Sequence, residues 1–171
     1  YIQQFVKNGY VVRNSVTFII DITKPIEEIW KSIARKARGD VNRAKRRNIV
    51  ATELQTYDQL KEYLILHNDW SKTKGLGMTD PFRDIKQIWD NHKSGLEKIF
   101  LAYKENKLIS ALRIACFNGI AYSNFVVSSH SESTNLGGTL LTWHALEWAK
   151  NQGIRLYDFS GGQKSDDGNP N

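Results

Sequence analysis

The chain has 171 residues, 40% hydrophobic and 25% charged, with a formal net charge of +6; this size and composition suit one globular domain, large enough for a sizeable core. No apolar run approaches the about 18 residues a membrane helix needs, since even residues 109–117 are interrupted by Ser110 and Arg113, so a membrane span is excluded and a soluble protein is expected. The single cysteine, Cys116, excludes an internal disulfide and a cysteine-based zinc site, and it fits a reducing, cytoplasmic compartment.

In chain order, Val16-Thr17-Phe18-Ile19-Ile20 is β-branched and aromatic and reads as a strand ending at Asp21. Thr23, Pro25, Glu27 and Glu28 then signal a helix start, because proline tolerates the first turn and acids favour the positive end of the dipole. Ile26, Trp30, Ile33, Ala37, Val41 and Ala44 recur every three or four residues, which predicts one apolar helical stripe with Gly39 as its breaking or kinking point. From Lys31 to Arg47 there are eight basic residues and one acid, Asp40, for +7; the remaining 16 basic and 17 acidic residues sum to −1. The net charge is therefore one segment, carried on the polar faces of this helix.

Residues 49–54 read as a short strand, and Leu60, Tyr63, Leu64, His67 and Trp70 predict a helix. A loop is expected over 71–77, then a second helix from Pro81 to about His92 with Phe82, Ile85, Ile88 and Trp89 on its apolar side. Residues 98–104, 107–117 and 120–128 predict a three-stranded antiparallel meander, its turns at Glu105-Asn106 and at the strong hairpin signal Asn118-Gly119. After a loop over 129–135, Leu136-Gly137-Gly138 leads a long helix through Trp143, Leu146 and Trp148 to Lys150, ended by Gly153; residues 154–159 are a last strand entering Ser160-Gly161-Gly162. That strand is expected parallel to 120–128, with the glycine-led helix as the crossover. The chain opens at Tyr1 and closes on the turn-rich 168–171, so a fragment of a longer protein is expected.

Two segments carry a family resemblance. The first runs from Arg38 through Arg43-Ala44-Lys45-Arg46 to Ile49; the second joins Leu140–Ala149, with Trp143 and Trp148, through Gly153 to Tyr157-Asp158-Phe159-Ser160-Gly161-Gly162. Together they resemble the Fem-type aminoacyltransferases, which transfer amino acids from aminoacyl-tRNA to peptidoglycan precursors, and related GNAT-fold acyltransferases. The resemblance implies an α/β (α+β) GNAT-like fold: a mixed, mostly antiparallel sheet flanked by helices, incomplete at its C-terminal end. Residues 49–171 would form the GNAT-like domain and 1–48 a linking strand and basic helix, the whole one half of a tandem protein. It further implies a cytoplasmic acyl- or aminoacyltransferase with no bound cofactor. Its donor would be aminoacyl-tRNA or an acyl thioester such as acyl-CoA, and its acceptor an amine on a cell-envelope precursor or small molecule. The family's following lysine- and phenylalanine-containing segment does not appear in this sequence.

Each candidate site has two readings. Arg35, Lys36, Arg38, Arg43 and Arg46 could bind phosphates of a tRNA or nucleotide-linked substrate, or form a solvated face; a non-catalytic module binding RNA or a nucleotide-linked ligand through this helix is the alternative function. Leu136, Gly137, Gly138 and Thr139 could present helix N-terminal N–H groups to a donor's pyrophosphate, or the glycines could serve close helix-on-sheet packing. The acetyl-CoA loop pattern is met only in part, with Thr134 and Thr139 at its ends. Asp158 could be a general base raised by partial burial, or could hold the N–H groups of its own turn. Tyr122 and Asn124 could hydrogen-bond a substrate amide or simply pack. His130 and His144 lack the acid and nucleophile of a triad and read as surface or edge residues.

Overall fold

A computed structural model describes residues 2–11, 16–77, 80–129 and 134–161. Its strands are β1 (Ile19–Asp21), β2 (Val50–Glu53), β3 (Glu97–Lys104), β4 (Lys107–Phe117), β5 (Ile120–Ser128) and β6 (Leu156–Asp158). They form one sheet in the order β1-β6-β5-β4-β3-β2, antiparallel throughout except for the parallel β5–β6 pair. The meander and the parallel return strand are thus as the sequence predicts. Both meander turns are two-residue connections with left-handed backbone, Glu105 and Asn106 at φ 51° and 62° and Asn118 and Gly119 at 50° and 75°, the geometry that matches the strands' twist.

Helices cover both faces. On one side lie α2 (Ile26–Ser32), α3 (Arg35–Arg46) and α6 (Thr134–Asn151); on the other lie α4 (Tyr57–Thr73) and α5 (Ile85–Ser94). Strand alternation separates the two cores: Phe100 and Ala102 join Val41, Ala44, Leu141 and Leu146 on the α6 side, while Ile99 and Leu101 join Leu60, Tyr63 and Leu64 on the α4 side. Residues ahead of 49 belong to this packing, since Ile22, Ile29, Val41 and Ala44 are at most 1% exposed.

Several boundaries differ from the expectation. A short helix α1 (Ile2–Lys7) precedes the first strand, which itself shifts to 19–21, Val16 making only an isolated bridge. The helix after Thr56 begins on a capping box, with Gln59 N–H donating to Thr56 Oγ1 at 3.2 Å and Gln59 Oε1 accepting from Thr56 N–H. It continues through Thr73, absorbing the start of the expected loop. The second helix of that pair starts at Ile85, residues 81–84 forming turns.

The single basic helix expected from Pro25 to Arg47 is two helices. The break falls at Ile33 and Ala34, both extended at ψ 151° and 139°, whereas Gly39 stays helical and exposed. A glycine inside an exposed helix costs about 1 kcal/mol, too little to force a break. What stabilises the break is Arg38, whose Nη1 donates to the carbonyls of Lys31 and Ile33 at 2.7 Å and of Trp30 at 3.3 Å, satisfying groups the helix end leaves free. The break also lets Ile29, absent from the predicted stripe, turn into the core at 1% exposure.

Candidate functional site

β5 and β6 pair only over Ile120–Tyr122 and Leu156–Asp158. Beyond that point β5 continues to Ser128 without a β6 partner, while the chain after β6 leans to β1, Phe159 N–H donating to Phe18 O at 2.9 Å. A cavity of about 740 Å³ lies beside this opening, on the face covered by α6. The half of β5 beyond β6 lends it Val126 and Ser128, the first turns of α6 lend Leu136, Gly138, Thr139 and Thr142, and Trp143, Leu146 and Phe159 complete an apolar floor. Its other wall is α3, with Lys36, Asp40 and Arg43, followed by Arg47.

The wall is electropositive. Arg43 pairs with Asp40 at 2.5 Å, one helical turn away, which leaves Lys36 and Arg47 with no ion pair among the described residues. Of the five basic candidates, Lys36 and Arg43 line the cavity. Arg35 and Arg46 are exposed outside it, and Arg38 is engaged with backbone carbonyls. Arg47, outside those five, joins the lining from the same charged run.

The two glycines have distinct duties. A Cβ on Gly137 would stand 3.0 Å from Ser110 Cβ, 3.1 Å from its Oγ and 3.4 Å from Ile109 Cδ1; on Gly138 it would stand 3.0 Å from Val126 Cγ1. Both are buried, and they let the start of α6 press onto β4 and β5. Leu136, Gly138 and Thr139 also face the cavity, Gly137 does not. Residues 130–133, with His130, lie outside the described residues, as do Gly162 and the C-terminal 168–171, and of Thr134 only the helical backbone is described.

Tyr122, Asn124 and Asp158 are set differently. Ala121 and Tyr157 belong to the α6-side core, so their paired neighbours Tyr122 and Asp158 point to the opposite face. Asn124 is the extra residue of a β-bulge, since Arg113 pairs with Phe125 and Ile114 with Ser123; such a bulge re-aims a side chain and increases local twist. Asp158 is 9% exposed. Its Oδ1 accepts from the Thr17 hydroxyl and, at 2.7 Å, from Ser160 N–H, with Ser160 held at φ 59°. The carboxylate thus holds its own turn, and both bonds fall on one oxygen.

The histidines carry no triad among the described residues. His144 is half-buried rather than on the surface, its ring edge-on to Phe100 at 5.5 Å, and burial lowers its pKa. His92, which the sequence reading treated only as a helix end, is 2% exposed: Nδ1 accepts from Ile99 N–H at 3.4 Å, which leaves Nε2–H to donate to Leu54 O at 2.9 Å. Burial pushes its pKa down as well.

Comparisons with known proteins agree with this geometry. Residues 31–166 match the model of the acetyltransferase (GNAT) domain, and no curated protein sequence gives a significant match. Among solved structures, FemX superposes with a TM-score of 0.74 at 14% identity, covering 97% of this chain and 61% of its own. L-PGS from Bacillus licheniformis gives 0.64 at 16% identity, covering 98% of this chain and 51% of its own. The PaiA N-acetyltransferase from Thermoplasma acidophilum, solved with coenzyme A, gives 0.51 at 14% identity, covering 63% and 75%. This chain therefore spans about three-fifths of FemX and half of L-PGS. With a sheet opening between its one parallel strand pair, a glycine-led crossover helix beside it and a family match over most of its length, the chain belongs to the acetyltransferase (GNAT) domain family.

Proposed function

We propose that this chain is the acyl-transferring part of an enzyme that moves an activated acyl or aminoacyl group onto an amine of a cell-envelope precursor or other small molecule. The observation that carries the reading is the cavity beside the half of β5 that lacks a β6 partner, apolar in its floor and lined by Lys36, Arg43 and Arg47 on one wall. An activated ester or thioester on a phosphate-bearing carrier, as in aminoacyl-tRNA or acyl-CoA, matches that combination: cations neutralise the phosphates while the floor excludes water. The likeness to FemX, and to an N-acetyltransferase solved with coenzyme A, supports the same class. The alternative of a binding-only RNA module draws no support from the matched structures.

The reaction needs alignment, oxyanion stabilisation and one base. The amine nitrogen attacks the acyl carbon, a C–N bond forms and the C–O or C–S bond breaks. The proton lost by nitrogen passes to the base and then to the departing oxygen or sulfur. Asp158 is our candidate base, because its Oδ1 is anchored by Thr17 and Ser160 while Oδ2 has no bond to the described residues. Tyr122 and the bulge residue Asn124 are candidate donors to the acyl oxygen; Tyr122 and Asp158 share the sheet face opposite the cavity, so in this reading the acyl carbon reaches them through the opening where β6 parts from β5.

The test offers the protein alanyl-tRNA or acetyl-CoA with a set of amines and measures deacylated tRNA or free thiol. Turnover is expected with one donor. Asp158→Asn should cost about 10²–10⁴ in kcat, the usual contribution of a positioned base, whereas Lys36→Ala with Arg47→Ala should raise KM for the donor. Consumption of neither donor would refute the acyl-transfer reading; turnover untouched by Asp158→Asn removes that residue from the mechanism.

A further inference from the structure

A second, smaller concavity opens on the other side of Trp143. It measures about 390 Å³ and lies between α2, α3 and α6, towards the lower end of the about 300–1,000 Å³ of small-molecule sites. Trp30 and Trp143 form its apolar centre, their rings 4.7 Å apart and inclined at 63°, edge to face. Trp143 is buried and lines both cavities, so Trp30, half-buried, is the more accessible ring of the pair. Around it stand Glu27 and Lys31 from α2, Asn42 and Lys45 from α3 and Glu147 from α6. Two carboxylates and two ammonium groups cancel. None of the four makes an ion pair among the described residues.

The ligand such a surface fits can be argued from its chemistry. Zero net charge, in contrast to the basic wall next door, gives an anion no advantage and a cation none. The inclined tryptophans leave no two-sided slot for a flat aromatic ligand, only a one-sided π-face. Acceptors (Glu27, Glu147), donors (Lys31, Lys45) and an amide that is both (Asn42) surround that face. A pyranose ring meets all three conditions: the C–H bonds of one face rest on the negative π-cloud, and hydroxyl groups around the rim each require a donor and an acceptor. Position adds support, because Arg38 Nη1 holds the carbonyls of Trp30 and Lys31 and so fixes the end of α2 that carries Trp30.

We infer that the Trp30–Trp143 groove is a binding site for a neutral saccharide. The site stands independently of the acyl-transfer reading, because its test requires no turnover.

The experiment titrates the protein with cellobiose and with chitobiose, using ligand-observed saturation-transfer NMR and calorimetry, in low salt and in about 0.5 M NaCl, where exposed charges are screened. Saturable binding to at least one disaccharide is expected, with an affinity unchanged by salt. Trp30→Ala should weaken it by about tenfold or more, as for an aromatic anchor, Trp30→Phe should retain part of it, and Glu147→Gln and Lys45→Met should each weaken it severalfold. The last two change exposed or half-exposed polar groups, so they decide the matter if Trp30→Ala does not fold. No saturable binding overturns the proposal, as does binding indifferent to folded Trp30→Ala and to both polar variants. A response to alanyl-alanine without one to saccharides makes the groove a peptide site, and loss of binding in salt makes its ligand ionic; either outcome also overturns it.

Discussion

At the start of α6 the side chain that is missing matters as much as those present. Gly137 faces Ser110, which is fully buried and hydrogen-bonded to Ser128, so an added methyl group has nowhere to go. Gly137→Ala should therefore destabilise by about 1–3 kcal/mol, the usual cost of overpacking, whereas the one close neighbour of a Cβ at Gly138 is Val126, 40% exposed at the cavity rim, so Gly138→Ala should cost less. Urea denaturation of the two variants checks the order; equal or reversed effects would contradict the packing role. His92 offers a second residue-scale test. Its ring bonds require the neutral form, and burial lowers its pKa. The unfolded chain therefore binds the proton more readily, and stability falls as pH drops from about 6.5, the unfolded value, toward the lower folded one. His67 and His144 are lowered in the same direction, mainly by burial. His92→Gln should cost about 1–3 kcal/mol at pH 7 and make the loss between pH 7 and 5 smaller than in the native protein, as read from urea midpoints.

Among the elements, α2 and α3 show how one charged run divides its labour. Arg38 joins three carbonyls at the end of α2, Arg43 and Lys36 face the cavity, and Arg35 and Arg46 face solvent. A charge-assisted bond to backbone contributes about 1.5–3 kcal/mol, so Arg38→Ala should lower stability by an amount in that range. Arg35→Ala and Arg46→Ala should stay within about 0.5 kcal/mol. Thermal melts of the three variants distinguish them. Position on the helix face is legible in the sequence, but the carbonyls that Arg38 meets are left free only because the chain breaks at Ile33.

For the molecule as a whole, the asymmetry of charge has a consequence for binding. All of the net charge lies between Lys31 and Arg47, and three of those cations line a single cavity. Replacing Lys36, Arg43 and Arg47 together by Ala should weaken a phosphate-bearing donor and flatten the dependence of its affinity on salt, since each neutralised phosphate releases counterions. Stability should barely change, because among the described residues the one ion pair lost, Arg43–Asp40, is a surface i,i+3 contact worth a few tenths of a kcal/mol. Titration of the donor at several salt concentrations is the measurement, and an unaltered slope would show that the cations do not meet phosphate.

Local pattern was enough to read the meander, the crossover helix and the last strand, because each rests on neighbours within a few residues: alternation in β3–β5, the Asn118-Gly119 turn, Gly153 closing α6. The basic segment was equally plain, as charge is a property of composition. What only the tertiary structure decided depends on residues distant in sequence. Val126 and Ser128 line the cavity because β6 parts from β5 after Tyr122. Trp30 on α2 and Trp143 on α6, more than a hundred residues apart, meet because both helices pack on the same face of the sheet. Asp158 is held by Thr17 because β1 completes the sheet beside β6. Periodicity assigns a residue to a face, but the partner waiting at that face is set by the long-range closure of the sheet, which no local pattern encodes.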